Sequence, residues 1–373
     1  MNDRILGLRN KMAGLNLQGM IISNPTNVKY FTGLEAEGIL LITRKENVYI
    51  TDSRYIEYVN NKITPFDEIV VDDFKNISKD DFENFFMFCE NVGFEENYVT
   101  YASYKKFMHL YKINNFVEAD SIINKLRMIK DEQEINNLKE ACKITDDCFA
   151  FLRDYIKTGM TEKQIARAIE KYYMDNAEGV SFAPIVASGE NSSKPHAIPT
   201  DRVIEKNDII TIDMGCKVKG YCSDMTRTIF LGTPTDEQKY VYDLVLKNQL
   251  KSLYEMKDGA CIKDVAKIVK SNFAIEGYDL VHALGHGVGL DIHEPPFIRD
   301  SNDNCLKEKM VVTNEPGIYI PGSFGVRIED TILITKDGQE VLTKSPKDLV
   351  VLSDWKMEWN IFIFFCEEVD WVL

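Results

Sequence analysis

Acidic residues interrupt the strand-like apolar runs in the second half of the chain, and this feature constrains the fold most strongly. The runs IITIDMG, YCSDMTRTIF, VVTNEPGIYI and VRIEDTILIT carry, in that order, Asp213, Asp224, Glu315 and Glu329. A buried carboxylate without a partner is very costly, so a chain can fold around such positions only if positive charge or a proton compensates them. We therefore expect a fold that gathers these side chains around positive charge.

The two runs that carry Asp213 and Asp224 predict a β-hairpin. With a turn at Val218 and Lys219, the ladder places Asp213 opposite Asp224. Directly opposed residues share a face of the sheet, with their Cβ atoms about 4.5–5.5 Å apart. A slip of one residue would move them to opposite faces. The alternative interpretation is a pair of aspartates that cap turns at the strand ends.

Two further acidic residues lie in apolar runs nearer the end of the chain. Glu315 directly precedes Pro-Gly, and Glu329 lies between Ile328 and Asp330. Arg327 comes two positions before Glu329, so strand alternation places both side chains on one face. For these two residues, an ordinary ion pair is the alternative to a metal site.

Three of the five histidines lie within one short stretch, VHALGHGVGLDIHEPP, and are His282, His286 and His293. The glycines of this stretch let the backbone approach a site closely. His286 can add one imidazole nitrogen to the four carboxylates, and such an oxygen-rich set suits hard or borderline divalent ions. Two such ions balance four carboxylates, activate a water and polarise a carbonyl. The residues alone therefore lead to the hypothesis of a dinuclear hydrolase.

The length of 373 residues predicts two domains, the first a small α/β unit over residues 1–125. The runs GILLIT and NVYIT are typical of strands. Apolar residues recur at helical spacing at Ile5, Leu8, Met12 and Leu15. This unit shows no catalytic constellation, and we interpret its single histidine, His109, as structural.

The second predicted domain, residues 126–353, opens with the strongest helix signal of the chain. From Lys130 onward an amphipathic stripe repeats every three or four positions, at Ile135, Leu138, Cys142, Thr145, Phe149, Leu152 and Ile156. The next helix is predicted after Thr161, which has capping-box spacing to Gln164. Strands mixed with two further helices follow residue 180, which favours an α+β domain with an antiparallel sheet.

The composition and charge exclude several classes of partner. A formal net charge of -15 argues against nucleic acid and against anionic membranes, because both require a basic surface. The charged N-terminal sequence is unlike a secretory signal, and no apolar run is long enough to span a bilayer. The eight cysteines are scattered without a C-x-x-C pair, which favours reduced thiols. We expect a cytoplasmic protein.

Five motifs closely resemble those of the pita-bread metallopeptidases, in the branch of Xaa-Pro aminopeptidases and prolidases. They follow the family's order as KPHAIPTDRVIEKNDIITIDMG, YCSDMTRT, HALGHGVGLDIHEPP, TNEPGIYIPG and GVRIEDT. The resemblance extends over about residues 1–353, because the first unit also resembles the creatinase-type domain of that branch. It implies an α+β pita-bread catalytic domain behind a smaller, creatinase-like α/β domain. The remaining residues, 354–373, form an atypical aromatic tail with no assigned role.

The resemblance also assigns roles to individual residues. As metal ligands it implies Asp213, Asp224, His286, Glu315 and Glu329. They would hold two divalent ions per chain, Mn²⁺ first, with Co²⁺, Zn²⁺ or Fe²⁺ also compatible. Catalytic roles are implied for His196, His293 and Glu315. Contacts with the substrate are implied for His196, His282, His293 and Arg327, and support of these groups for Tyr319.

The implied reaction is hydrolysis of the peptide bond that precedes proline. We expect a Xaa-Pro aminopeptidase acting on short peptides, with a prolidase acting on Xaa-Pro dipeptides as the alternative. In either case Glu315 transfers a proton to the proline nitrogen and His293 stabilises the oxyanion. An inactive peptide-binding relative is the rival class, and the presence of all five ligands disfavours it. The family is commonly dimeric, so we also expect a homodimer.

Overall fold

A computed structural model describes residues 2–62, 69–73 and 84–352 of the chain. The first part is built on a six-stranded mixed sheet in the order β4-β3-β2-β1-β5-β6. Its strands are β1 (Gly19–Ile22), β2 (Gly38–Thr43), β3 (Asn47–Thr51), β4 (Ile69–Asp73), β5 (Asn91–Phe94) and β6 (Asn115–Glu118). Its helices are α1 (Asn2–Gly14), α2 (Pro25–Thr32), α3 (Ile56–Lys62), α4 (Tyr101–Leu110) and α5 (Asp120–Arg127).

The predicted first helix forms, but its apolar stripe is shorter than predicted. Ile5, Leu8 and Met12 on α1 are buried in the core of the unit. Leu15 lies after the end of the helix and is 46% exposed. The helical spacing therefore identified the buried face of α1, and of the four predicted positions only Leu15 falls outside the helix. His109 lies at the exposed surface of α4, away from the histidines that line the central cavity.

Within the described residues the second part contains two large sheets, the two-stranded sheets β9–β10 and β15–β16, and four long helices. Its helices are α6 (Glu132–Tyr155), α7 (Glu162–Asn176), α8 (Asp236–Glu255) and α9 (Ile262–Ile275), with a 3-10 helix at Gly189–Ser193. The first strands are β7 (Ile185–Ser188), β8 (Asp208–Met214), β9 (Lys217–Val218), β10 (Tyr221–Cys222) and β11 (Met225–Leu231). The others are β12 (Gly285–Gly287), β13 (Glu294–Ile298), β14 (Val311–Asn314), β15 (Gly317–Ile320), β16 (Phe324–Arg327), β17 (Asp330–Thr335), β18 (Gly338–Val341) and β19 (Val350–Leu352).

Each of the two large sheets packs on its own pair of helices. The four-stranded sheet has the order β19-β11-β8-β7 and shares a core with α6 and α7. The five-stranded sheet has the order β13-β12-β14-β17-β18 and shares a core with α8 and α9. Except for the parallel pair β11–β19, the strand pairs of both sheets are antiparallel. The predicted α+β class is confirmed.

The helix predictions for this part hold in detail. The predicted stripe is buried from Ile135 to Ile156, although Ile156 lies one residue after the end of α6. A capping box joins Asp131 and Glu134 at its start, and the predicted capping box of Thr161 and Gln164 opens α7. Both boxes satisfy backbone N–H groups that would otherwise have no partner in the first helical turn.

The predicted turn of the hairpin was wrong by one residue. The structure places the turn at Lys219 and Gly220, whose φ angles are 51° and 83°. Two positive φ angles give a turn whose twist matches that of the strands, and this matching favours it over the predicted turn. Asp213 consequently pairs with Thr226 instead of Asp224. Because the partner moves by two positions, side-chain alternation is preserved and Asp224 remains two residues from the partner of Asp213.

The aromatic tail proposed for residues 354–373 lies outside the described residues. Among the helices of the described residues, none combines the length and the apolar character that crossing a bilayer requires.

Candidate metal centre

The predicted ligands come from five separate segments that meet between the two sheets. Asp213 lies near the end of β8, Asp224 precedes β11 and His286 is the middle residue of β12. Glu315 follows β14, and Glu329 lies between β16 and β17. The two sheets are joined there directly, since the Glu329 N–H donates to the Thr226 carbonyl at 3.1 Å. All five ligand candidates line one cavity of about 410 Å³.

The tightest group of donor atoms belongs to Asp224, His286 and Glu329, whose ligand atoms lie within 4.8 Å of one another. The Nε2 atom of His286 lies 3.4 Å from Oδ2 of Asp224 and 3.4 Å from Oε1 of Glu315. Its Nδ1 atom lies 3.1 Å from the Gly287 carbonyl oxygen. A carbonyl can only accept, so Nδ1 carries the proton there and Nε2 presents its lone pair to the carboxylates.

Arg327 supplies the positive charge of the cluster through Asp213. Its Nη2 atom donates to Oδ2 of Asp213 at 2.7 Å. The same guanidinium donates to the Tyr319 hydroxyl at 2.8 Å and to the Pro195 carbonyl at 3.0 Å. The simple alternative of an Arg327–Glu329 ion pair is therefore wrong. Glu329 instead accepts a hydrogen bond from the Thr226 hydroxyl at 2.7 Å.

One arginine does not neutralise this group of carboxylates. Burial raises the pKa of Asp213, although the charge of Arg327 opposes the shift. Burial also raises the pKa values of Asp224 and Glu329 well above the usual range, and neighbouring carboxylates raise them further. Within the described residues, buried oxygen atoms Oδ1 of Asp213 and Oε1 of Glu329 have no hydrogen-bond partner.

This set of donors fits divalent cations. Four carboxylates and an imidazole lone pair converge on one cavity, as oxygen-rich coordination with a single nitrogen requires, and two of the carboxylates each have a buried oxygen with no partner among the described residues. Cations bound there would satisfy the orphaned oxygens and offset the mutual repulsion of the carboxylates. Metal coordination thus accounts for two buried oxygen atoms that hydrogen bonds among the described residues leave without a partner.

The three remaining histidines predicted for the site also line the cavity. The Nε2 atom of His282 lies 3.0 Å from the Tyr319 hydroxyl, and burial lowers the pKa of His282. The ring of His293 stands edge-on to that of His286, with 4.3 Å between ring centroids. Partial burial lowers the pKa of His293, and the neighbouring His286 lowers it further. His196 lies on an exposed segment at the cavity wall.

One cation of the cavity, Arg299, is not among the residues predicted from the sequence. Its side chain lines the cavity with the predicted ligands and is exposed. Its guanidinium stacks over Phe297, 4.8 Å from the ring centroid. No carboxylate among the described residues pairs with it. The available signal was a single arginine six residues after His293, which is too weak without the fold.

A buried ion cluster beside His293 was likewise not predicted from the sequence. Glu294 is buried, and its carboxylate accepts hydrogen bonds from Arg127 and from the Lys130 ammonium, the latter at 2.7 Å. Arg127 also donates to Oδ1 of Asn27 at 2.8 Å. Asn27 belongs to α2, so a continuous chain of hydrogen bonds connects the first unit with the segment that carries His293.

The fold and site together define a metal-dependent peptidase. The chain belongs to metallopeptidase family M24, whose family model matches residues 136–336. A second model, the creatinase/prolidase N-terminal domain, matches residues 4–129. The predicted pita-bread fold and the predicted metallo-exopeptidase class are confirmed.

Individual relatives resemble the chain over almost its full length. A Xaa-Pro dipeptidase from Pyrococcus horikoshii is 35% identical over 94% of this chain and 99% of its own. The structure of a Xaa-Pro dipeptidase from Bacillus anthracis matches with a TM-score of 0.89 and 36% identity, covering 94% of this chain and 99% of that one. The structure of an X-Pro aminopeptidase from Thermotoga maritima matches with a TM-score of 0.83 and 33% identity, covering 91% and 99%.

Proposed function

We propose that the protein is a Xaa-Pro dipeptidase, which hydrolyses dipeptides whose second residue is proline. The observation that carries this proposal is Arg299, a cation on the wall of the cavity that holds the ligand candidates, which has no carboxylate partner among the described residues. A dipeptidase must recognise a free carboxylate close to the scissile bond, and a guanidinium matches a carboxylate in charge and geometry. The relative from Pyrococcus horikoshii and the structure from Bacillus anthracis bear the same name. The prolidase alternative is thereby favoured over the initial expectation of an aminopeptidase.

The metal ligands in this proposal are Asp213, Asp224, His286, Glu315 and Glu329. Two divalent cations held by them would polarise the scissile carbonyl and lower the pKa of a water. Manganese is the first candidate, and cobalt, zinc and iron suit the same donors. Arg327 holds Asp213 in place, and Thr226 holds Glu329, so both carboxylates are oriented by the fold.

Proton transfer falls to Glu315 in the proposed reaction. Its carboxylate is half-buried at the cavity and accepts a hydrogen bond from the Thr313 hydroxyl at 3.3 Å. It takes the proton of the attacking water and delivers it to the proline nitrogen as the amide bond breaks. This transfer matters because the proline amide nitrogen carries no proton of its own and leaves poorly as an anion.

Histidines contact the substrate around this centre. His293 is exposed to the cavity and donates a hydrogen bond to the oxyanion that develops on the scissile carbonyl. His196 covers the substrate from the opposite, exposed segment, and His282 supports the pocket wall through Tyr319. Arg327 supports the same wall of the pocket by hydrogen bonds to the Tyr319 hydroxyl and the Pro195 carbonyl.

A Xaa-Pro aminopeptidase acting on longer peptides is the second candidate. The structure from Thermotoga maritima carries that name and covers 91% of this chain. The two activities share the metal ligands and differ in the C-terminal side of the proline, which bears either a free carboxylate or a further peptide bond.

Two substrates distinguish these candidates. The purified chain, stripped with a chelator and reloaded with manganese or cobalt, is assayed on Ala-Pro and on Ala-Pro-Pro. A dipeptidase gives the higher kcat/KM on Ala-Pro, whereas an aminopeptidase gives the higher value on Ala-Pro-Pro. Hydrolysis of neither peptide would contradict both candidates. We further propose a cytoplasmic homodimer, which analytical ultracentrifugation and cell fractionation test.

A further inference from the structure

The two halves of the second domain repeat one structural detail at the start of a helix. The first half contains α6, α7 and the four-stranded sheet. There the Gly159 N–H donates to the Ile204 carbonyl at 2.9 Å, and the Ile204 N–H donates to the Met160 carbonyl at 2.8 Å. The second half contains α8, α9 and the five-stranded sheet. There the Gly259 N–H donates to the Leu306 carbonyl at 2.9 Å, and the Leu306 N–H donates to the Ala260 carbonyl at 2.8 Å. In both halves a helix begins shortly after these bonds, α7 at Glu162 and α9 at Ile262.

At the centre of each repeat two residues face each other across an antiparallel bridge. The first half has Thr161 opposite Val203, and the second half has Cys261 opposite Cys305. The bonds around Cys261 and Cys305 run from Leu306 to Ala260 and from Ile262 to Asn304, so the two cysteines exchange no backbone bond. They form a non-hydrogen-bonded pair, the closest type of cross-strand pair, with Cα atoms about 4.5 Å apart.

This separation lies within the range that a disulfide requires, about 4.4–6.8 Å between Cα atoms. Side chains at a non-hydrogen-bonded pair also project to the same face of the ladder. Both thiols are free, Cys305 is exposed and Cys261 is half-buried. By contrast, Cys142, Cys148, Cys216 and Cys222 are buried.

The two halves differ in how the side chain at the helix start is used, because the Cys261 thiol does not cap its helix. The Thr161 hydroxyl accepts a hydrogen bond from the Gln164 N–H and caps α7. Cys261 occupies the same N-cap position of α9, but its side chain makes no capping hydrogen bond. A thiol without this bond is available for chemistry with the sulfur opposite.

The bridge lies at the end of a loop that α9 already holds. This loop runs from Arg299 to Cys305, and the Lys270 ammonium lies 2.6 Å from the Asp300 carboxylate. Lys263 of α9 pairs with Asp303 in the same way. A covalent bond at Cys305, the last residue of the loop, would link the loop to the start of α9 in addition to these reversible ion pairs.

We infer that Cys261 and Cys305 form a redox-responsive pair that closes to an intrachain disulfide. The oxidant is a low-molecular-weight disulfide such as oxidised glutathione. The Cys305 thiolate attacks it, forms a mixed disulfide and releases one glutathione thiolate. The Cys261 thiolate then attacks the Cys305 sulfur, which forms the Sγ–Sγ bond and releases the second glutathione thiolate. The two protein sulfurs are oxidised, one glutathione disulfide is reduced, and the two thiol protons pass to the released glutathiones.

The test uses the full-length chain with oxidised glutathione, followed by alkylation, proteolysis and mass spectrometry. We expect one peptide that joins Cys261 and Cys305, two hydrogens lighter than the separate thiol peptides and lost on reduction with dithiothreitol. The midpoint of thermal unfolding should rise by roughly 2 °C or more, because the crosslink constrains the unfolded chain. Alkylation of both thiols, or glutathione retained on Cys305 without a crosslink, would overturn the inference.

The chain supplies its own matched control. The double variant Cys261→Thr, Cys305→Val copies the pair found in the first half and so preserves the fold of the bridge. It should show neither the joined peptide nor a rise in the midpoint with oxidised glutathione. A rise as large as that of the unmodified sequence would show that another cysteine is responsible and would overturn the inference.

Discussion

Arg327 donates from Nη2 to Oδ2 of Asp213 at 2.7 Å, across 114 positions of sequence. Both side chains are buried to the extent that only 4% and 13% of their surfaces are accessible. The same arginine also donates to Tyr319, Pro195 and Thr226. It therefore compensates a buried carboxylate and fixes three segments around the candidate metal centre.

Replacing Arg327 with Met should destabilise the metal-free protein. The change leaves Asp213 buried without its cation, and breaking one partner of a buried pair costs about 3–5 kcal/mol. Urea unfolding at neutral pH after chelation measures the loss. Lys163→Met is the control, because its exposed ion pair with Asp201 contributes at most about 1 kcal/mol. Equal losses in the two variants would contradict a special role for Arg327.

Glu329→Gln should remove metal binding while preserving the local fold. The amide has nearly the same shape, and the Thr226 hydroxyl can still donate to its oxygen. It cannot supply the negative charge that a divalent cation requires, so turnover should fall by at least about a hundredfold. Metal analysis by mass spectrometry and the dipeptide assay measure the two effects. Glu340→Gln, at an exposed pair with Lys139, is the control, and full metal content in Glu329→Gln would refute the assignment.

Arg299→Met should raise KM for Ala-Pro by about 10- to 100-fold, since it removes one charge-assisted interaction with the substrate carboxylate. The KM for the amide Ala-Pro-NH2, which lacks that carboxylate, should change little. Lys270→Met is the matched control, because the charge of Lys270 is already paired with Asp300. An equal rise in KM for acid and amide would argue against carboxylate recognition by Arg299.

Local features were predictable wherever a short-range pattern determines the structure. The stripe of α6 and the capping box of Thr161 and Gln164 follow from helical spacing, and both are present. The turn was misplaced because Lys219 adopts a positive φ of 51°, which a lysine rarely does.

Partners that are distant in sequence were harder to assign. Residue types and motif order identified the residues that line the cavity, but the spacing of Arg327 suggested Glu329 as its partner instead of Asp213. Arg299 and Glu294 belong to no periodic pattern, and their surroundings come from elements folded against them. Such contacts depend on how the sheets pack against the segment from Arg127 to Lys130, and a local sequence pattern does not encode that packing.

Glu294 makes the free energy of unfolding depend on pH, and a single substitution can isolate its contribution. Burial raises the pKa of Glu294, but the charges of Lys130 and Arg127 outweigh it and hold the pKa below its ordinary value of 4.5. The folded state thus binds this proton less tightly than the unfolded state does. The resulting stabilisation is present above pH 4.5 and is lost as the pH falls through the lower, folded-state pKa.

Glu294→Gln should therefore lower the free energy of unfolding by about 3–5 kcal/mol at pH 7, because two buried cations lose their carboxylate. Near pH 3 the difference from the unmodified chain should shrink, since the unfolded chain then binds the Glu294 proton and part of the stabilisation of the folded chain is lost. Urea unfolding of the metal-free proteins at both pH values measures the difference, and shared acid effects cancel. In Glu340→Gln the difference should stay below about 1 kcal/mol at both pH values. A Glu294→Gln deficit that does not change with pH would mean that lost packing, and not lost charge, is its cause.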